Sequence, residues 1–216
     1  MEIVNAISRS RYGVFRWRYE LTLVKKLALA LGIACLIGVL AQVRFYTPWS
    51  PIPITGQTFA VLMAGVLMGR HWGGISIAIY AVIGVIGVPW FAPQAGMPAF
   101  SAGGISHFAG PTGGYIVGFV LTALFLGYFT DKYVKARGFF SMLGLMLFAS
   151  LVLIYIPGLI WLGLWLNLVS GAPTDIGAVF ALGAAPFIAG DIFKTLMAAA
   201  AARVIIPKED YTKGIG

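Results

Sequence analysis

Asp191 and Lys194 stand three positions apart inside the last long apolar stretch of the chain, 186–207. If that stretch is a helix, positions i and i+3 share one face. A charge at membrane depth is expensive, so it normally faces a cavity or a partner and marks a ligand or ion path. The pair therefore predicts one polar site inside a membrane domain. The alternative is a structural ion pair that ties helices together.

The elements that must position this pair are apolar. The 216 residues are 60% hydrophobic and 10% charged, with mean hydropathy +0.92. Soluble domains carry roughly 25% charge, so an ordinary soluble globule is excluded. Crossing a bilayer takes ~20 apolar residues. Six stretches fit spans: 23–43, 57–69, 72–88, 112–130, 139–163 and 186–206, with Pro157, Pro173 and Pro186 interrupting the region before the last. The expected fold is an all-α integral membrane bundle of six transmembrane helices. A basic cytoplasmic segment, 1–22, precedes the membrane domain, 23–207, and a tail, 208–216, follows it. The 28 glycines suit closely packed helices. Cys35 is read as a buried structural thiol, and residues 21–41 as a retained span, not a cleaved leader.

Orientation follows from the basic residues. With the N-terminus in the cytoplasm, of the 15 lysines and arginines only Arg44 falls outside and only Lys194 within a span. Arg9, Arg11, Arg16, Arg18, Lys25, Lys26, Arg70, Lys132, Lys135, Arg137, Arg203, Lys208 and Lys213 all lie inside. The reading is N-in, C-in, and basic residues at span ends rather than on one polar face argue against nucleic-acid binding. The outer loops 45–56 and 89–111 carry no Lys, Arg, Asp or Glu and are rich in Pro, Gly and aromatics. They are expected to fold back over a site or to lie in the interface, with Trp49, Trp90 and Phe91 as an aromatic belt. Counted from Pro186, Asp191 and Lys194 sit roughly 8–12 Å below the outer end of the last helix at 1.5 Å per residue. That depth suits a pocket opening outward.

Several chemistries lack their residues. No G-x-x-x-x-G-K-[ST] loop exists for ATP, and no HExxH or GxSxG motif. His71 and His107 are far apart and no Cys/His cluster predicts a metal. Asp191 is the single acid placed within a span, which argues against a paired-carboxylate hydrolase and against an ion-coupled carrier. No catalytic residue, cofactor or metal is expected.

Four stretches in order, PIPITGQT at 51–58, GMPAF at 96–100, GPTGGYIVGF at 110–119 and PFIAGDIFK at 186–194, resemble the BioY family. These proteins are the biotin-binding S components of energy-coupling factor (ECF) transporters. The likeness runs from about 24 to 206. It implies a small helical bundle with an outward-facing biotin pocket, in the cytoplasmic membrane of a prokaryote. It also implies a transmembrane T component and a pair of ABC-type ATPases as partners. Family members dock on the T component through an A-x-x-x-A pattern on the first helix, which Ala30 and Ala34 match; the same pair also suits ordinary internal packing. The segment 1–22 is not covered by the likeness and reads as a lipid-facing basic arm.

On that resemblance, Lys194 pairs with the biotin carboxylate or donates to the ureido oxygen, and Asp191 accepts a ureido N–H or orients Lys194. Gln57 can donate and accept at the mouth of the second span, or hydrogen-bond the helix start. Tyr115 lines the ring slot or anchors in the interface. Phe100 and Ser101 are candidates to close over the ligand. Trp161, Trp165 and Asn167 read as belt and cap, and Gly113 and Gly114 as positions of tight approach. Three readings compete: an S component for riboflavin or thiamin, a facilitator working without an ATPase, and an intramembrane enzyme or structural protein.

Overall fold

A computed structural model describes residues 2–171 and 174–211. Helix α1 covers Glu2–Glu20 and α2 covers Leu23–Gln42; a two-residue ribbon follows, β1 (Arg44–Phe45) antiparallel to β2 (Ile54–Thr55). Then come α3 (Gln57–Val85), the short α4 (Ile105–Phe108) and α5 (Gly113–Lys132). The next span is α6 (Phe139–Phe148), a π-helical turn at Ala149–Leu153 and α7 (Tyr155–Leu168). Helices α8 (Ile176–Gly183) and α9 (Ile188–Ile205) end the described chain. Four helical stretches are long and apolar enough to cross a membrane, Leu23–Gln42, Gln57–Val85, Gly113–Lys132 and Phe139–Leu168. The pair α8–α9, bent by 48°, adds a fifth among the described residues.

Helix α3 is a hairpin. Gly69 sits at φ 80°, ψ −169°, a conformation open to glycine because it has no Cβ to clash. The chain reverses there. A Cβ built on Gly73 would lie 2.8 Å from Gly65 Cα, eight residues back, where a straight helix would put ~12 Å between them. Gln57 Nε2 likewise donates to the Tyr80 hydroxyl at 3.0 Å. The break at 69–72 read from sequence is this turn. The first limb, 57–68, is only about 18 Å long at 1.5 Å per residue, short of a ~30 Å hydrocarbon core.

The fifth apolar stretch runs on to Leu168 rather than 163. Pro157 is accommodated inside it: its ring removes the N–H that Leu153 would otherwise receive, and the preceding turn is π-helical, with Ile154 N–H bonded to Ala149 O at 3.2 Å. Thr122 Oγ1 on α5 also donates to Ala149 O at 3.1 Å. Such an insert shifts the face that the following turn presents, and here that turn carries Ile154 and Tyr155 to the cavity described below.

Two apolar clusters fill the interior. One, around Tyr80, Trp90, Phe91, Tyr115 and Phe187, lies at the end of the loops. The other, around Phe15, Leu126, Met146 and Tyr211, lies at the opposite end, where basic residues gather. At that second end Arg18 and Asp131 form an ion pair. Asp131 also accepts from the Arg70 backbone N–H (2.8 Å) and the Tyr211 hydroxyl (3.1 Å). Arg137 donates to Thr130 O and Glu209 O. Burial opposes the charge of Arg18, yet Asp131, Tyr211 and Tyr19 together hold its pKa above the ordinary value.

Two expectations need correction, those for the aromatic belt and for Cys35, and both terminal segments pack onto the domain. The arm 1–22 is helical through Glu20 and only partly outward: Phe15 is buried and Arg18 is clamped to Asp131, while Arg9 and Arg16 stay exposed. The tail packs back at Tyr211, which is fully buried; residues 212–216 lie outside the described chain. Trp90 and Phe91 are not belt residues, because they stack on and against the Tyr80 ring inside the domain; Trp49 is exposed. Cys35 is exposed on α2, not buried.

Candidate functional site

The C-terminal helix α9 begins after a turn at Ala184–Phe187, and its first two turns present Asp191 and Lys194 on one face. Asp191 is 4% exposed. Its Oδ2 accepts a 2.6 Å hydrogen bond from the Tyr155 hydroxyl, and its Oδ1 lies 2.6 Å from Lys194 Nζ. Lys194 Nζ also donates to Thr55 O at 3.0 Å, so the PIPITG loop is tied to α9 through the ammonium. A carboxylate in the first turn of a helix is favoured by the free N–H groups there. The pair is shielded from solvent and held by the Tyr155 hydroxyl on one side and the Thr55 carbonyl on the other.

These groups form the polar side of a cavity with roughly 600 Å³ of non-atom space, its open mouth included. Its apolar lining includes Ile54, Phe91, Tyr115, Phe119 and Phe187. Gln57 lies between: its backbone N–H meets Thr55 Oγ1 at 3.3 Å, and its amide bonds Tyr80. Gln57 thus makes a helix-start bond and also lines the cavity. Tyr115 also lines the cavity, and its hydroxyl donates to Gly183 O at 2.8 Å, fixing the ring against Gly158.

The outer loops do fold back over the site. Loop 43–56 supplies Ile52 to Thr55, and loop 86–112 supplies Phe91, Ala92 and Thr112. Gln42 anchors the second loop: its amide donates to Gly38 O, Trp90 O and Phe91 O, and its oxygen accepts from Phe100 N–H at 2.9 Å. Phe100 and Ser101 are not brought to the cavity. Phe100 is half exposed at φ 54°, and Ser101 Oγ donates locally to Pro98 O. Ala30 and Ala34 are fully buried within the chain, along a stripe that continues through Ile37 and Ala41. They serve internal packing and offer no open docking face. Trp161 Nε1 bonds Gly110 O, and Asn167 caps the end of α7. Gly114 is a point of tight approach, since a Cβ there would meet Trp161 Cβ at 2.3 Å.

Sequence reasoning missed Tyr155 and Tyr80. Tyr155 stands two residues before Pro157, which marks an interruption of the apolar pattern without telling which face the preceding π turn presents. Tyr80 falls on the apolar run of the hairpin's second limb.

Comparison with known proteins agrees with this architecture. The model of the BioY family matches residues 11–209. A probable biotin transporter BioY of Methanothermobacter thermautotrophicus is 48% identical over 71% of this chain and 93% of its own length. The biotin transporter BioY of Thermotoga maritima is 30% identical over 70% and 79%. Among solved structures, the S-component for biotin from an ECF-type ABC transporter superimposes with a TM-score of 0.69 at 25% identity, covering 85% of this chain and 93% of that one. A family match over nearly the whole described chain, with a relative close to half identical, settles its membership: the chain belongs to the BioY family.

Proposed function

We propose that this protein is the biotin-binding subunit of an ECF-type transporter, which captures biotin from outside and delivers it inward while partner subunits hydrolyse ATP. It is a multi-pass protein of the prokaryotic cytoplasmic membrane, and it is not an enzyme. The observation that carries the reading is the Asp191–Lys194 pair on one wall of an otherwise aromatic and aliphatic cavity. Biotin combines a flat bicyclic head, ureido N–H donors and a ureido oxygen with a carboxylate tail. Asp191 suits a ureido N–H, and the Lys194 ammonium suits the ureido oxygen or the carboxylate. The rings of Phe91, Phe119 and Phe187 suit the apolar head.

The six-span, N-in, C-in arrangement belongs to the same proposal. It is supported by the reversal at Gly69, which counts α3 twice. It is also supported by the gathering of Arg18, Arg70, Lys132 and Arg137 at one end, with Arg44 at the other. The test is competition at equilibrium: purified protein is titrated with biotin, biotin methyl ester, riboflavin and thiamin. Biotin alone, or biotin and its ester, should bind. Riboflavin or thiamin binding without biotin binding would overturn the assignment. A large loss with the ester assigns Lys194 to the carboxylate, and equal binding assigns it to the ureido head.

A further inference from the structure

At the basic end a second, wider recess opens between the end of α1, the first turns of α2, the hairpin turn and the end of α5. It holds roughly 1340 Å³ of non-atom space open to solvent. Its one acid, Asp131, is already satisfied by Arg18, the Arg70 backbone N–H and Tyr211. Three further cations line it, Lys26, Arg70 and Lys132. Among the described residues none of the three has a carboxylate within ion-pair distance. Lys26 Nζ rests on Tyr19 O at 2.9 Å. Arg70 and Lys132 both lie against the single ring of Tyr128, at 5.3 and 4.9 Å from its centre. Two like charges gathered on one ring, with a third across the recess, form an unneutralised site for an anion.

The remaining wall is apolar, with Leu29, Met68 and Trp72. It continues onto the outward face of α2, where Leu27 and Leu29 are exposed. We propose that this recess seats the headgroup of an anionic phospholipid of the inner leaflet. Its phosphate lies among Lys26, Arg70 and Lys132, and an acyl chain follows Leu29 and Trp72. Soluble phosphate shares the charge chemistry, but it has no use for the apolar wall that joins the recess to the lipid-facing surface. The inference rests on the basic end facing the cytoplasm and is independent of what the outer cavity binds.

The test uses native mass spectrometry of the full chain, purified in detergent and titrated with phosphatidylglycerol or phosphatidylcholine of matched chains. The wild type should hold one phosphatidylglycerol with roughly tenfold or greater preference, given about fivefold per basic residue near an anionic surface. The triple variant Lys26→Gln, Arg70→Gln, Lys132→Gln should lose the preference while biotin titration is unchanged. If the triple variant does not fold, Lys26→Gln and Lys132→Gln are read singly, each lowering the ratio about fivefold. Equal retention of the two lipids, or a preference that survives these variants, would overturn the proposal. So would inorganic phosphate displacing phosphatidylglycerol completely at millimolar concentration, which would assign the recess to a soluble anion.

Discussion

Tyr155→Phe removes one oxygen from the wall of the outer cavity and nothing else. The hydroxyl donates to Asp191 Oδ2 at 2.6 Å, within the short range of charge-assisted bonds. Hydrogen bonds to charged groups contribute about 1.5–3 kcal/mol. Asp191 is 4% exposed, so in the unliganded protein little water can replace the lost donor. The loss should therefore fall in the upper half of that range, about 2–3 kcal/mol of stability. The affinity for biotin should also weaken, because the carboxylate is freed to rotate about its remaining tie to Lys194. The assay is a double-mutant cycle in detergent, with thermal unfolding and biotin titration for wild type, Tyr155→Phe, Asp191→Asn and the double variant. With Asp191→Asn the bond is neutral and worth about 1 kcal/mol. The coupling between the two sites should therefore be about 1–2 kcal/mol. Additive effects in both readouts would refute the claim that Tyr155 orients the carboxylate.

Three further outcomes follow from the packing and the charges. Gly73→Leu should destabilise the hairpin by about 1–3 kcal/mol or more, because its Cβ would meet Gly65 Cα at 2.8 Å; unfolding in detergent checks this. Arg18→Ala should cost about 3 kcal/mol, the low end for breaking a buried pair, since Asp131 keeps the Arg70 N–H and Tyr211; the exposed Arg16→Ala should leave the same melting curve unmoved. Burial between loop and Phe91 lowers the His107 pKa, so the unfolded chain binds more protons there. Its contribution to stability is full above the ordinary histidine value of ~6.5 and is lost as pH falls below it. A melting temperature that drops between pH 7.5 and 5.5 in the wild type, and drops less in His107→Gln, is expected.

What could be read from the sequence was governed by the bilayer. Asp191 and Lys194 stood out because a charge in an apolar run has few places to go, and their shared face follows from helix period alone. The apolar outer loops announced themselves by lacking charge, and they line the cavity. Other features depend on contacts between distant segments. Ala30 and Ala34 have the same spacing whether they face a partner or α3, and only the bundle decides that they face inward. Trp90 and Phe91 have the composition of interface anchors, but Tyr80, ten residues away across a loop, captures them. Phe100 lies in a motif shared with the family, yet its backbone is held by Gln42 and its side chain is half exposed outside the cavity lining. The arm 1–22 reads as lipid-facing because of its arginines; its docking depends on Arg18 meeting an acid more than a hundred residues later.

The most direct measurement is isothermal titration of biotin into the purified protein, wild type beside Lys194→Ala. Lys194 joins α9 to the carbonyl of Thr55 and neutralises Asp191 at 2.6 Å, so its loss leaves a buried carboxylate unpaired and removes the one cation of the cavity. One-to-one binding by the wild type and its collapse in a folded Lys194→Ala are predicted. A folded wild type that does not bind biotin would contradict the assigned ligand. Binding that survives the substitution unchanged would contradict the placement of the site on α9.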